Sequence, residues 1–266
     1  MSALSVSLRD SGVLTWRNLM NVRRQPDLLL AATLQPIMFV LLFAFVFGGS
    51  LGGAGYREFL MGGIFAQTVA FNSAYTTIGM AADLQKGVID RFRSLPMSRA
   101  AVLVGRTSSD LMVSAFGLVV MSLCGLLVGW RIRGSILDAV VGYALLLLFA
   151  FAVSWIGALV GMMSGSVEVA QSAGLIWMFP VVFISSAFVS ASTLPGPLRT
   201  IAEWNPITAV ADASRDLFHN PSPGVLQRAT SWPAQNAALY AFLWCLAILA
   251  VFMPLAINKY RKVASK

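Results

Sequence analysis

The chain has 266 residues, of which 58% are hydrophobic and only 11% charged, with a mean hydropathy of +0.76. Soluble domains carry about 25% charged residues, so this composition excludes a fully water-clad globule and calls for lipid as solvent. The formal charge of +8 is read as membrane orientation and attraction to anionic lipid, not as nucleic-acid binding.

Residues 1–27 alternate apolar Val13, Leu14, Leu19 and Met20 with Arg9, Arg17, Arg23 and Arg24. The spacing predicts an amphipathic helix in the inner interface, ended by Pro26. A hydrocarbon core about 30 Å thick needs about 20 apolar residues at 1.5 Å each. Six stretches qualify: 28–47, 59–82, 102–129, 137–163, 169–189 and 237–257. Lipid offers the backbone no hydrogen-bond partners, so helices are expected; the ten-residue alternation of a barrel is absent. The fold class predicted is an all-α integral membrane protein. It comprises a six-helix domain over 28–257, a cytoplasmic helix at about 83–96, an outer re-entrant helical hairpin at about 192–232 and a basic tail at 258–266. The first apolar run starts at residue 28 and is too long for the core of a cleaved signal peptide.

Placing the N-terminus inside puts 13 of the 19 basic residues on the inner side and 6 on the outer. Both termini are therefore expected in the cytoplasm. The glycine-rich run 48–55 lacks a G-x-x-x-x-G-K-[ST] pattern and reads as an outer turn. The second span carries Gln67, Thr68, Asn72, Tyr75 and Thr76. Thr68, Asn72, Thr76 and Gly79 share one stripe. Two readings stand: a wall of a translocation path, or interhelical hydrogen bonds. In the third span Arg106 and Asp110 form an i, i+4 pair of structural character.

Gly157, Gly161 and Gly165 form a repeated G-x-x-x-G for close helix approach, within the chain or between copies. Glu168 suits the start of a helix. Cys124 and Cys245 read as small buried apolar residues. Outside, Asn205 followed by Pro206 predicts a capped helix start. From there Ile207, Val210, Ala211, Leu217 and Phe218 form one face, and Asp212, Arg215 and Asp216 another. Short amphipathic helices dipping into the outer leaflet fit this pattern, with Trp204 and Trp232 at the interface.

The inner segment places Leu84, Val88, Ile89, Phe92 and Leu95 on one helical face, ringed by Asp83, Lys86, Asp90, Arg91 and Arg93 and ended by Pro96. An apolar face on a cytoplasmic helix has to pack against lipid, its own chain or a partner's groove. Residues 86–99, Lys-Gly-Val-Ile-Asp-Arg-Phe-Arg-Ser-Leu-Pro-Met-Ser-Arg, resemble the membrane subunits of type-2 ABC exporters, above all the daunorubicin-resistance permeases of actinobacteria. Arg23-Arg24-Gln25-Pro26, Asn205-Pro206 and Arg215 extend the resemblance over essentially the whole chain. Asp83, Gln85 and Asp90 stand where that family usually has glutamates.

The resemblance implies that Leu84, Gly87, Val88, Asp90, Arg91, Phe92, Arg93, Leu95 and Pro96 couple to a separate ABC ATPase present in two copies. ATP and magnesium would bind that partner, with no cofactor on this chain. It further implies a second permease, as a homodimer, in a bacterial cell membrane. The cargo would be a hydrophobic or amphipathic drug, antibiotic or lipid-like molecule, with a polysaccharide or lipid-linked glycan as the rival. Two other classes fare worse on the residues. An intramembrane hydrolase needs a nucleophile and base inside the bilayer, and the only histidine is His219, outside. An ion-coupled carrier needs ionisable groups deep in the membrane, and Asp110 is the only acid well inside a span.

Overall fold

The computed structural model describes residue 20 and residues 26–48, 53–87, 99–220 and 230–263. Among the described residues all regular structure is helical. The six apolar stretches coincide with helices. Helix α1 (Pro26–Leu41) runs on as a π-helical turn (Leu42–Phe47). Then follow α2 (Gly53–Gln85), α3 (Arg99–Val128), α4 (Ile136–Met163) and α5 (Val167–Phe183). The outer region folds as α6 (Gly196–Glu203), α7 (Pro206–Leu217) and the single turn α8 (Trp232–Gln235), before α9 (Ala237–Val263). The N-terminal segment before Pro26, Met20 apart, and residues 221–229 and 264–266 lie outside the described residues.

Among the described residues three helices are long and apolar enough to cross a membrane, over Val102–Val128, Ile136–Met163 and Ala237–Lys262; shorter apolar helices cover Thr33–Val46 and Val167–Phe183. Large apolar side chains such as Phe116, Val119, Leu123, Ile176 and Val251 stay exposed on them, as lipid-facing surfaces require. Helix α2 differs. Every residue from Phe59 to Ala74 is buried, because α3, α4, α5, α7 and α1 all pack on it. A helix buried on every face is the core of its bundle.

Gly157 and Gly161 bring the α4 and α2 backbones into close contact. A Cβ at either would collide with the carbonyl of Ser73 or Thr77 on α2. The two glycines therefore serve packing inside the chain. Gly165 lies beyond the end of α4 with open space around it, so the third member of the motif takes no part. Helix starts follow local chemistry: Ser135 and Asp138 cap α4 reciprocally, and Ser166 accepts from Val169 N–H to cap α5. Such boxes satisfy end amides that have no intrahelical partner. Exposed Glu168 sits in the first turn of α5, where a carboxylate complements the helix dipole.

Two expectations need correction. The fifth helix ends at Phe183, not near residue 189. Asn205 Nδ2 donates to the carbonyls of Val181 and Ile184, both at 2.7 Å, and so takes up the backbone acceptors freed where the helix stops. The apolar face of helix α7, expected to meet the outer leaflet, is turned to the chain's own helices instead. It packs between α2, α4 and α9, burying Ile207–Ala211 and Ala213–Arg215. Phe218 closes an edge-to-face aromatic cluster with Phe65, Trp130 and Tyr143. Trp204 and Trp232 remain half exposed, edge-on to Tyr240.

Candidate functional site

The polar stripe of α2 meets a matching stripe on α3. Arg106, Asp110, Ser114 and Gly117 follow the same i, i+4, i+8, i+11 spacing as Thr68, Asn72, Thr76 and Gly79, in the opposite sense. Thr76 Oγ1 donates to Asp110 Oδ2 at 2.8 Å, and Asn72 Nδ2 to Ser114 Oγ at 3.1 Å. At the outer end of this seam Gly117 faces the Thr68 methyl and the Asn72 amide, 3.7 and 3.9 Å from where a Cβ would stand. At the inner end the Arg106 guanidinium lies across Gly79 so closely that a Cβ there would overlap it. The seam thus pairs a small residue with a larger one at each end and makes hydrogen bonds between. For Asn72 and Thr76 the stripe is interhelical bonding.

The adjoining face of α2, which shares Thr68 and Asn72 with the seam, borders a narrow cleft against α1. It is lined by Gln35 and Pro36 of α1 and by Gln67, Thr68, Phe71, Asn72 and Tyr75 of α2. Gln67 Oε1 and Thr68 Oγ1 are buried there without a hydrogen-bond partner among the described residues. Buried polar atoms left unpaired cost about 1–3 kcal/mol each. They therefore mark a place where a polar group from outside the fold has something to gain. Pro36 cannot donate to the preceding turn, and Gln35 adds an amide. Four of the five residues singled out as path-lining, Gln67, Thr68, Asn72 and Tyr75, meet at this cleft; Thr76 does not.

At the inner end, α2 finishes at Gln85 and α3 begins at Arg99. Leu84 packs against a small inner cluster of Met80, Leu103, Trp155 and Tyr260, and Gly87 closes the turn after α2 with a positive φ of 62°. Val88, Asp90, Arg91, Phe92, Arg93, Leu95 and Pro96 lie outside the described residues. Arg106 binds both stems of this segment: Nη1 is 3.5 Å from Asp83 on α2, and Nε is 3.3 Å from Asp110 one turn along α3. Its Nη2 is also 3.5 Å from the Tyr75 carbonyl.

At the outer end a second arginine ties three segments together. Arg215 Nε donates to the Phe59 carbonyl at 2.8 Å, Nη2 to that of Ser186 at 2.7 Å, and Nη1 to Asp212 at 2.6 Å and Ser186 Oγ at 3.0 Å. The guanidinium lies 3.5 Å over the Phe59 ring. With 4% exposure it belongs to the buried face of α7, not to the polar face assigned by sequence. Asn205 accepts from Ile207 N–H at 2.8 Å, and Pro206 occupies the first helical position. Beside them, Trp130 Nε1 donates to Asn220 at 2.6 Å.

Sequence reasoning missed Ser114, the bridge from Arg106 to Asp83, and the α1 side of the cleft. Ser114 carried a signal, since it continues the Arg106–Asp110 spacing by one more turn. Gln35 and Pro36 carried none. Among the described residues no group of three or more His, Cys, Asp or Glu is placed to hold a metal.

Residues 10–219 match the ABC-2 type transporter family. Over 250 residues, 92% of this chain and 84% of the relative, the chain is 32% identical to the daunorubicin resistance ABC transporter permease protein DrrB1 of Streptomyces coeruleorubidus. It is also 23% identical over 217 residues to the putative transport permease ycf38 of Pyropia yezoensis, covering 79% of this chain and 74% of that one. A match spanning most of the chain, on an all-helical fold with apolar spans, places the protein in the ABC-2 type transporter family, as a multi-pass membrane permease.

Proposed function

We propose that this permease is the membrane subunit of an ATP-driven exporter, moving a hydrophobic or amphipathic drug-like molecule outward with energy from a separate ATPase. In this reading all six long helices cross the bilayer and both termini lie in the cytoplasm. Two permeases and two ATPase subunits make the working unit. Residues 83–96 dock on the ATPase, ATP and magnesium bind only there, and the α1–α2 cleft contacts the cargo. The drug-like cargo rests on the relative named for daunorubicin resistance.

The observation that carries the proposal is the continuity of α2. One helix runs from the cleft, through the seam, to the start of the 83–96 segment. A push on its inner end therefore reaches the cleft without crossing a loop. ATP-driven bias between two arrangements of the helices needs such a rigid element. An ion-coupled carrier fits less well, because Asp110 is already engaged by Arg106 and Thr76.

Affinity purification of the tagged chain in mild detergent tests the partnership. The expected result is a stoichiometric ABC ATPase that is lost with Phe92→Asp while the permease still inserts. A permease that purifies alone in several detergents and in nanodiscs sinks the proposal.

A further inference from the structure

Arg106 occupies an unusual place. It lies two turns inside α3, yet its guanidinium crosses to α2 and spans the interval from the Tyr75 carbonyl to Asp83. The crossing is possible because position 79, midway between them, is glycine. One nitrogen holds the carboxylate nearest the inner end of α2, and another holds Asp110, which in turn accepts from Thr76. The chain of contacts Asp83–Arg106–Asp110–Thr76 therefore starts beside the loop stem and ends in the seam.

Two features give this chain a mechanical character. Its acceptors are mainly side-chain carboxylates, and its ionic contacts are 3.3–3.5 Å long, outside the usual range for short charge-assisted bonds. Such contacts re-pair over small displacements without being abandoned. Between α2 and α3 at the inner end, Arg106 is also the only described residue that forms ion pairs with carboxylates of both helices.

We propose that Arg106 is a positioning residue of energy coupling: it joins the inner ends of α2 and α3 so that displacement of the 88–98 segment is delivered to the seam and the cleft. This rests on the ATP-driven reading above. The residue touches neither nucleotide nor cargo, and its effect is on how much transport each hydrolysed ATP yields.

The test uses the permease co-purified with its ATPase in lipid vesicles, with Arg106→Gln, Asp110→Asn and Gly79→Ala variants. Gly79→Ala removes no charge and displaces the guanidinium by its methyl group alone. All three are expected to keep the ATPase bound and hydrolysing, while transport per ATP falls about 5-fold, inside the range that coupling mutations produce. Arg106→Lys, which keeps the charge, is expected to recover part of the loss. A ratio unchanged in Asp110→Asn and Gly79→Ala overturns the proposal.

A second measurement separates this from failure of the ATP-driven reading. Spin labels at positions 86 and 100, with Cys124 and Cys245 replaced by alanine, report the spacing of the two helix ends. That distance distribution is expected to broaden in Arg106→Gln whether or not an ATPase is present. If wild type shows no ATP-driven transport but the distribution broadens, the joint stands and the exporter reading falls. An unchanged distribution removes the joint itself.

Discussion

Two arginines mark the ends of the helix bundle, and they are held in opposite ways. Arg215, at the outer end, is 4% exposed, and its shortest contacts to fixed main-chain carbonyls and to Asp212 lie between 2.6 and 2.8 Å. Arg106, at the inner end, is 20% exposed and meets two carboxylates at 3.3 and 3.5 Å. A carbonyl of packed main chain cannot follow a moving guanidinium, whereas a carboxylate rotamer can. The outer end is thus a rigid staple, and the inner end is a joint with play in it. Under the function proposed above, in which the drive comes from the cytoplasm, displacement enters where the contacts yield.

The largest effect expected breaks the staple. Arg215→Leu leaves Asp212 buried beside three segments without its cation, and losing one partner of a buried pair costs about 3–5 kcal/mol. Thermal unfolding of the detergent-purified chain is expected to show a steep loss of stability or no folded protein. Lysine substitutions sharpen the contrast. Arg215→Lys loses the fork that reaches several acceptors at once and is expected to destabilise strongly. Arg106→Lys is expected to cost about 1 kcal/mol or less, as exposed or adjustable pairs do. Equal losses at the two sites in the same thermal assay would erase the distinction between staple and joint.

The smallest effect on stability is expected at the cleft. Gln67→Leu removes an unpartnered acceptor, so unfolding is expected to be neutral or slightly raised. Export of a hydroxylated drug, relative to an analogue lacking the hydroxyl, is expected to fall about 2- to 10-fold, the worth of one hydrogen bond. A large loss of stability with unchanged preference would make Gln67 a structural residue.

Much of the fold was legible because lipid imposes it. Apolar runs in lipid have to become helices, and each of the six runs is helical over most of its length, three of them as helices long and apolar enough to cross a membrane. The α2 stripe was legible from its spacing, as was the close-packing role of Gly157 and Gly161. What occupied those surfaces was not. The partner of the glycines is the Ser73–Thr77 backbone, which has no signature in composition. Arg215 misled for a related reason. On a helical wheel it falls with Asp212 and Asp216, and most of its acceptors are main-chain carbonyls as far as 156 positions away. Apolarity also persists past Phe183, which hid the end of α5; the cause is Asn205, whose amide collects the released carbonyls. Sequence periodicity reports which side of a helix is polar. It does not report which backbone atoms another segment brings to meet it.

The most direct measurement is accumulation of hydrophobic and amphipathic drugs in inverted membrane vesicles carrying this chain and its co-purified ATPase. The account predicts uptake that requires ATP and magnesium, persists when the proton gradient is collapsed, and is abolished by Phe92→Asp with the ATPase sites intact. Uptake that needs no ATP and disappears with the proton gradient would contradict it.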